Sequence, residues 1–369
     1  MPQACINDNI YTKLALKRWA YLLFLITPCV PFFSWWLGQQ TSHPNSAPYF
    51  SILFFFVLVP ILDWIIGKDS LNVPEQESKR LSEQFYYQLL TLITLPIMLA
   101  VIIFGAIQFT SPQLHWLGQL GWILNIGIVG GVISINVAHE LIHKNSQLER
   151  SIGGLLLSLV CYGGFKVEHV RGHHVNVSTP LDASSAKYNQ SLYHFLPRAY
   201  RHNFTNAWKL EALRLKRKEL SAWSFQNELV IWYFISFICA TSCAVVWGWQ
   251  GLLFFLGQSF VALTLLEIIN YIEHYGLERQ QDETGKFERV THHHSWNSNY
   301  FLTNILLIQL QRHSDHHAFP KRRYQVLRHF DDSPQLPAGY ATMVVIALFP
   351  ALWRKIMNPI IDKFYSNLQ

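Results

Sequence analysis

Long apolar blocks alternate with polar segments along this chain. Each apolar block runs for roughly 20 residues with almost no charge, which is the length that a helix needs to cross a bilayer core of about 30 Å. Six such blocks lie near residues 19–37, 49–67, 87–109, 114–137, 229–249 and 251–271. The pattern predicts an all-α, polytopic membrane protein with six transmembrane helices.

The polar blocks include two long segments, 138–228 and 272–369, which follow the fourth and the sixth predicted spans. No internal repeat, low-complexity tract or Gly/Ser linker separates them from the spans. We therefore predict a single membrane-embedded domain over residues 1–369, in which the two polar segments form a helical cap on one face.

Basic residues indicate which side of the membrane this cap occupies. All 29 Lys and Arg residues lie before the first span, in the 68–86 loop or in the two long polar segments, and the other three connections carry none. Cytoplasmic loops are the ones enriched in Lys and Arg. Both termini and the cap are therefore predicted to be cytoplasmic.

Composition narrows the range of partners. The chain is 50% hydrophobic and 14% charged, with a formal net charge of +6. Its basic residues adjoin the spans and form no aromatic–basic platform, so we expect membrane lipid and an acidic protein as partners, and no nucleic acid. The five cysteines form no CxxC pair, which argues against a disulfide framework or a thiolate metal site.

Histidine carries the candidate chemistry, because all but His43 and His115 of the 17 histidines fall on the predicted cytoplasmic face. Several occur three or four residues apart, a spacing that puts helical side chains on one face roughly 5–6 Å from each other. The nine clustered histidines are His139 and His143 in HELIH, His169, His173 and His174 in EHVRGHH, His274 in IEHYG, and His313, His316 and His317 in QRHSDHHA. Nine imidazoles could fill the inner spheres of two metal ions, whereas one zinc needs only three or four ligands.

Two other functions compete for these residues. HELIH is also an HExxH motif, in which Glu140 would be the base of an intramembrane zinc protease, but that site would use one zinc and leave seven histidines idle. A metal transporter would need polar residues along a path through the spans, and the sequence has few. Imidazole also suits iron, and oxygen activation by iron fits both the number of histidines and access from the bilayer.

Other residues are assigned supporting positions. Four acidic residues lie directly beside candidate ligand histidines in the sequence: Glu140, Glu168, Glu273 and Asp315. Each could accept the second ring N–H of its neighbouring histidine. The consecutive residues His292, His293 and His294 suit a surface loop better than one coordination sphere and receive no role.

The histidine motifs resemble those of a known family. HELIHK (139–144), EHVRGHHVNVSTPLDASSA (168–186), NYIEHYGLER (270–279), HHSWNSN (293–299) and LQRHSDHHAFPKRRYQVLRHF (310–330) are similar to the boxes of the integral-membrane alkane 1-monooxygenases, or alkane omega-hydroxylases. This family belongs with membrane fatty-acyl desaturases and xylene methyl hydroxylases in the histidine-box di-iron group. The resemblance covers residues from about 13 to 360.

The resemblance implies a reaction and a cofactor. The nine histidines would hold two non-haem irons, with no bound flavin or haem. O₂ and two electrons would convert an n-alkane to a 1-alkanol, and a narrow apolar channel, with Phe55 setting its depth, would admit the chain end. The alternatives are hydroxylation of an aromatic methyl group, as in the xylene enzymes, and acyl desaturation at the same di-iron site.

The electron source must lie outside this chain, because a fused rubredoxin would show paired CxxC motifs. The resemblance implies a separate rubredoxin, reduced by an NADH-linked rubredoxin reductase, and location in the bacterial inner membrane. The basic cytoplasmic face would steer an acidic carrier by electrostatic complementarity. The partition of the nine histidines between the two irons is left open at this stage.

Overall fold

The computed structural model describes residues 2–368, with side chains described for 10–367. Within this part of the chain the regular structure is helical, and the only strand-like pairings are isolated bridges such as Lys68 with Tyr300. The predicted all-α class is therefore confirmed.

Within residues 2–368, five helical segments are long and apolar enough to cross a membrane. In chain order, the first to fifth spans are Ile10–Thr41, Ala47–Ile66, Phe85–Phe109, Trp116–Ile142 and Glu228–His274. The first four correspond to the first four predicted spans, and the 47-residue fifth span contains both of the remaining predicted ones.

The fifth span is not one straight helix. Gly248 interrupts it with φ 64° and ψ −159°, a conformation outside the helical region. A Cβ added to Gly251 would collide with the carbonyl oxygen of Cys243, although residues eight apart in a straight helix are separated by about 12 Å. The chain therefore folds back on itself at Gly248, close to the connection predicted at residue 250.

Further helices lie between and after the spans. They are Glu75–Ser82, Gln147–Ser158, Phe165–Glu168, His174–Asn176, Leu192–Lys216, Phe301–Leu306, His313–Ala318, Tyr340–Ala347 and Pro350–Leu368, with 3₁₀ turns at Tyr21–Cys29, Ala47–Tyr49 and Tyr324–Val326. Three π-helical turns occur at Phe54–Leu58, Gly131–Ile135 and His169–His173.

The fourth span lies at the centre of the bundle. Its most apolar stretch is 72% buried, against 22–44% for the other spans. Glycine allows this close packing: a Cβ on Gly127 would meet the side chain of Val261 and the carbonyl oxygen of Gln258. The end of this central helix is consequently surrounded by protein rather than lipid.

A second core holds the non-spanning helices against the C-terminal end of the fifth span. Its largest fully buried side chains include Trp296, Trp353 and Tyr271. This core joins Leu192–Lys216 and Pro350–Leu368 to the segment that ends in His274. These helices are thereby held beside His274, whereas the segments that carry His139 and His169 pack in the larger core.

Candidate metal centre

The end of the fourth span provides the first pair of histidines. The π-helical turn Gly131–Ile135 precedes a last stretch of α-helix, Asn136–Ile142. His139 and His143 lie one helical turn apart, with ring centroids separated by 5.7 Å, and both are buried. Their Nε2 atoms are buried without a hydrogen-bond partner.

A second π-helical turn, His169–His173, changes the register of the next box. The N–H of His174 donates to the carbonyl of His169, five residues earlier. His169 and His174 therefore face each other, with their Nε2 atoms 3.0 Å apart. His173 points elsewhere, and its ring lies 4.8 Å from that of His274.

All nine predicted histidines come together in two groups. The first is a five-histidine group of His139, His143, His169, His174 and His316, and the second is a four-histidine group of His173, His274, His313 and His317. In each group one ring nitrogen per residue lies within 4.8 Å of every other. Nitrogens bound to one transition metal at about 2.1 Å are at most about 4.2 Å apart, so each group is close to the size of one coordination sphere.

Short contacts between ring nitrogens favour an ion within each group. His313 Nε2 lies 3.3 Å from His274 Nε2 and 2.9 Å from His317 Nε2, and His316 Nε2 lies 3.2 Å from His174 Nε2. Burial and the neighbouring rings lower the pKa of these histidines outside the spans. Neutral imidazoles have a free lone pair, which is the form that binds a metal.

His173 is an exception that Asp182 explains. Burial alone would lower the pKa of His173, but the Asp182 carboxylate, 2.9 Å from Nδ1, raises it instead. Nδ1–H therefore donates to Asp182, and the buried Nε2 is left facing the four-histidine group without a protein partner. A carboxylate that fixes a ring in this way is a common support of metal-binding histidines. The search for acids directly beside a histidine in the sequence could not find Asp182, because it follows His173 by nine positions.

The four acidic residues that flank histidines have different surroundings. Glu140 pairs with Lys144 at 2.8 Å and accepts the N–H of Tyr324. Glu168 accepts from the amide of Asn206 at 3.3 Å.

The other two flanking acids differ in whether they contact a histidine. Asp315 binds the guanidinium of Arg322. Glu273 lies 3.1 Å from His313 Nε2, the nitrogen that faces the four-histidine group, and its second carboxylate oxygen is buried without a hydrogen bond. Of the four flanking acids, Glu273 is thus the one in contact with a clustered histidine.

The three consecutive histidines lie outside both groups. His292 and His293 contact Asp332 at the surface, at 2.9 and 3.6 Å. His294 contributes its carbonyl oxygen, 3.4 Å from Nδ1 of His274. Only His294 therefore approaches a clustered histidine, and it does so through its backbone.

An apolar cavity lies between helical segments that carry the clustered histidines. It contains about 720 Å³ of space not filled by protein, part of it open to the outside. Phe55, in the π-helical turn of the second span, lines it. So do Asn136, Ile269 and Leu310, which precede His139, His274 and His313 by three to five residues. Three histidine-bearing segments thus continue from the wall of one apolar cavity.

This chain is similar in sequence to several known proteins. The fatty acid desaturase family matches residues 114–347. Alkane 1-monooxygenase 2 of Pseudomonas aeruginosa is 55% identical over 96% of this chain and 94% of its own length, and alkane 1-monooxygenase 1 of the same organism is 53% identical over 98% and 95%. The xylene/toluene monooxygenase hydroxylase component of Pseudomonas putida is 28% identical over 90% and 85%.

Proposed function

We propose, because this chain belongs to the alkane 1-monooxygenase family and to the fatty acid desaturase family, that it inserts one oxygen atom of O₂ into the terminal methyl group of n-alkanes. The products are a 1-alkanol and water. The observation that carries the proposal is the pairing of two buried histidine groups with one apolar cavity.

Each histidine group is proposed to hold one iron ion. The five-histidine group supplies His139, His143, His169, His174 and His316, and the four-histidine group supplies His173, His274, His313 and His317. The partner-free Nε2 atoms of His139, His143 and His173 support this assignment, since buried nitrogens that lack a hydrogen bond need another partner. When bound, the two irons supply O₂ activation and the redox chemistry, which side chains lack.

Carboxylates orient the four-histidine group. Asp182 holds the Nδ1–H of His173, so that Nε2 is the free nitrogen. Glu273 is proposed as a further oxygen ligand or as a support for His313, because one carboxylate oxygen faces the histidine nitrogens and the other is unpaired. Glu140, Glu168 and Asp315 are proposed to stabilise the segments that carry the histidines, through the contacts described above.

The cavity selects the chain end by shape. Its wall is largely apolar, and an alkane gains about 0.8 kcal/mol for each methylene removed from water. No polar group on the substrate can direct it, so the terminal methyl reaches the histidines only if the molecule enters lengthwise. Phe55, which is 7% exposed, is proposed to limit the depth available to the chain.

Membrane topology is proposed to comprise six crossings. The reversal at Gly248 divides the fifth span into two helices, and each half is about long enough for one crossing. An even number of crossings and the distribution of Lys and Arg favour both termini and the cap in the cytoplasm of a bacterial inner membrane. The whole chain, 1–369, is proposed to form one domain.

Electrons are proposed to come from a separate rubredoxin, reduced by an NADH-linked reductase. The described cysteines are all free, and none lies near the histidine groups in a thiolate cluster. An external carrier must therefore approach the cytoplasmic end, where the basic residues favour an acidic partner.

Product and metal analysis tests the proposal. Membranes containing the protein, rubredoxin, the reductase and NADH are supplied with a mixture of n-alkanes, xylene and an acyl lipid. We expect 1-alkanols and about two irons per purified chain. Benzylic alcohols or unsaturated acyl products in place of 1-alkanols would assign the chain to a different reaction, and one zinc with no iron would favour the protease alternative.

A further inference from the structure

A second pocket, beside the histidine-bearing segments, is strongly basic. It encloses about 1400 Å³, including space open to solvent. The five cationic side chains that line it are Arg150, Lys166, Arg171, Arg214 and Lys218. Glu228 is the one carboxylate in its lining. The pocket is therefore a candidate site for an anion.

Ion pairs within the protein neutralise only part of this charge. Lys166 contacts Glu228 at 2.5 Å, and Arg171 bridges Glu228 and Glu211 at 2.6 and 2.5 Å. Arg214 also contacts Glu211, at 2.6 Å. Five cations thus share two carboxylates, which leaves a formal excess of three positive charges.

Arg150 and Lys218 carry the uncompensated charge. The Arg150 guanidinium donates to the backbone carbonyls of Lys144 and Asn145 and to the side chain of Gln147, all of which are neutral. No described carboxylate lies within 4 Å of the charged group of Arg150 or Lys218, and Lys218 is exposed. These two side chains can therefore bind an external anion without breaking an internal ion pair.

One wall of the pocket is apolar and continues along the fifth span. Trp232 lies in this wall, 4.7 Å below the ammonium group of Lys166. Ile231 is 41% exposed, and Phe234 and Ile238, which follow on the same helical face, are 59% and 46% exposed. A ligand seated here would meet cations at one end and a lipid-facing apolar stripe at the other.

Aromatic residues locate the pocket at the membrane interface. Trp223 and Phe225, just before the fifth span begins at Glu228, are 78% and 92% exposed. Exposed Trp at the end of a span is typical of the headgroup region. The Trp208 ring lies 5.6 Å from that of Trp223 and is stacked on Tyr233 at 6.1 Å, so the helix Leu192–Lys216 is held at the same depth.

We propose that this pocket binds the phosphate headgroup of an anionic membrane lipid, with an acyl chain lying along Ile231, Phe234 and Ile238. Basic pockets between helices on the cytoplasmic side are a known form of lipid headgroup site. A docked acidic protein fits less well, because Lys166 and Arg214 are only 11% and 25% exposed and the pocket wall continues into the bilayer. The site is separate from the metal centre, and the proposal does not depend on alkane hydroxylation.

Lipid retention by matched variants tests this proposal. The test variant, Arg150→Gln/Lys218→Gln, removes the two uncompensated charges, and Lys218→Gln alone removes one without touching the backbone bonds of Arg150. The control, Lys216→Gln/Arg217→Gln, also removes two positive charges, at exposed residues next to Lys218 but outside the pocket lining. Each protein is purified from nanodiscs of equal phosphatidylglycerol and phosphatidylcholine, and the retained lipid is counted by native mass spectrometry.

We expect the wild type and the control to retain phosphatidylglycerol preferentially. The double test variant should retain it about 30-fold less and Lys218→Gln about fivefold less, since a cation beside a bound headgroup contributes about 1 kcal/mol. Equal retention by the test and control variants would overturn the proposal. So would inorganic phosphate alone, if it raised the thermal unfolding midpoint of the wild type as much as phosphatidylglycerol does. A third contrary result would be a test variant that binds an acidic carrier protein more weakly while its lipid retention is unchanged.

Discussion

Replacement of Asp182 by Asn tests the geometry of the four-histidine group. Asp182 Oδ2 lies 2.9 Å from His173 Nδ1 and accepts the hydroxyl of Ser185 at 2.6 Å, while Oδ1 accepts the N–H of Ser184 at 3.0 Å. Asn has the same shape and keeps one acceptor for His173. If the Asn oxygen keeps the bonds from His173 and Ser185, its NH2 group faces the N–H of Ser184, so the substitution removes the negative charge and one accepted hydrogen bond.

The expected effect follows from the electrostatics of this contact. Burial would raise the pKa of Asp182, but His173 and the hydrogen bonds from His173 and Ser185 outweigh it and lower the pKa to about 2. The carboxylate is thus ionised at neutral pH, and a charge-assisted bond is about twice as strong as a neutral one. Loss of such a support typically lowers metal affinity about 10–100-fold, or roughly 1.4–2.7 kcal/mol.

Iron retention against a graded chelator series measures this effect. Asp182→Asn should release about half of its iron at chelator concentrations about 10–100-fold below those needed for the wild type, because only the four-histidine group is weakened. Asp332→Asn is the matched control, since Asp332 also contacts a histidine ring at 2.9 Å but does so at the surface. The reasoning is refuted if Asp182→Asn retains iron as the wild type does, or if Asp332→Asn loses as much.

Substitutions at three further positions test other parts of the structure. His316→Ala should lose iron and hydroxylase activity while still inserting into the membrane, because His316 belongs to the five-histidine group; exposed His194→Ala is the control, and an active His316→Ala protein would contradict the ligand assignment. Phe55→Ala should shift the 1-alkanol profile from a mixed alkane pool toward longer chains, and Phe55→Trp toward shorter ones, because Phe55 lines the cavity; an unchanged profile in both variants would remove Phe55 from the substrate path. Gly248→Ala should lower the free energy of unfolding by about 1–3 kcal/mol, because φ 64° with ψ −159° is nearly restricted to glycine. A thermal unfolding midpoint equal to that of the wild type would show that a side chain does not strain the reversal at residue 248.

Clustering in the sequence predicted that the nine histidines lie close together. It did not predict how they divide between the two groups. A spacing of four residues predicts a shared face, and His139 with His143 and His313 with His317 obey it. His169 and His173 do not, because the π-helical turn adds a residue to the local register. Such a turn has no signature in the hydrophobic pattern.

Neighbouring positions in sequence were a poor guide to supporting acids. Glu140 follows His139 directly, but consecutive helical residues point about 100° apart, and Glu140 faces Lys144 and Tyr324 instead. Asp182 reaches His173 because the chain after the π-helical turn bends back over residues 176–182, where the N–H of Thr179 donates to Asn176 and the N–H of Asp182 donates to Thr179. Ser184 and Ser185 then both donate to its carboxylate. That contact depends on tertiary structure, so helical spacing could not reveal it.

The two histidine groups differ in how they can compensate the charge of a bound cation. Imidazole ligands are neutral, and a buried cation needs nearby negative charge or many ligand dipoles. The four-histidine group has Asp182 against His173 and Glu273 against His313. None of the described carboxylates contacts a ring of the five-histidine group, which has one more imidazole instead. The cavity wall continues into segments that serve both groups, through Asn136 toward His139 and through Leu310 toward His313. On the proposed assignment of one iron to each group, a substrate in that cavity would approach two sites that differ in charge compensation.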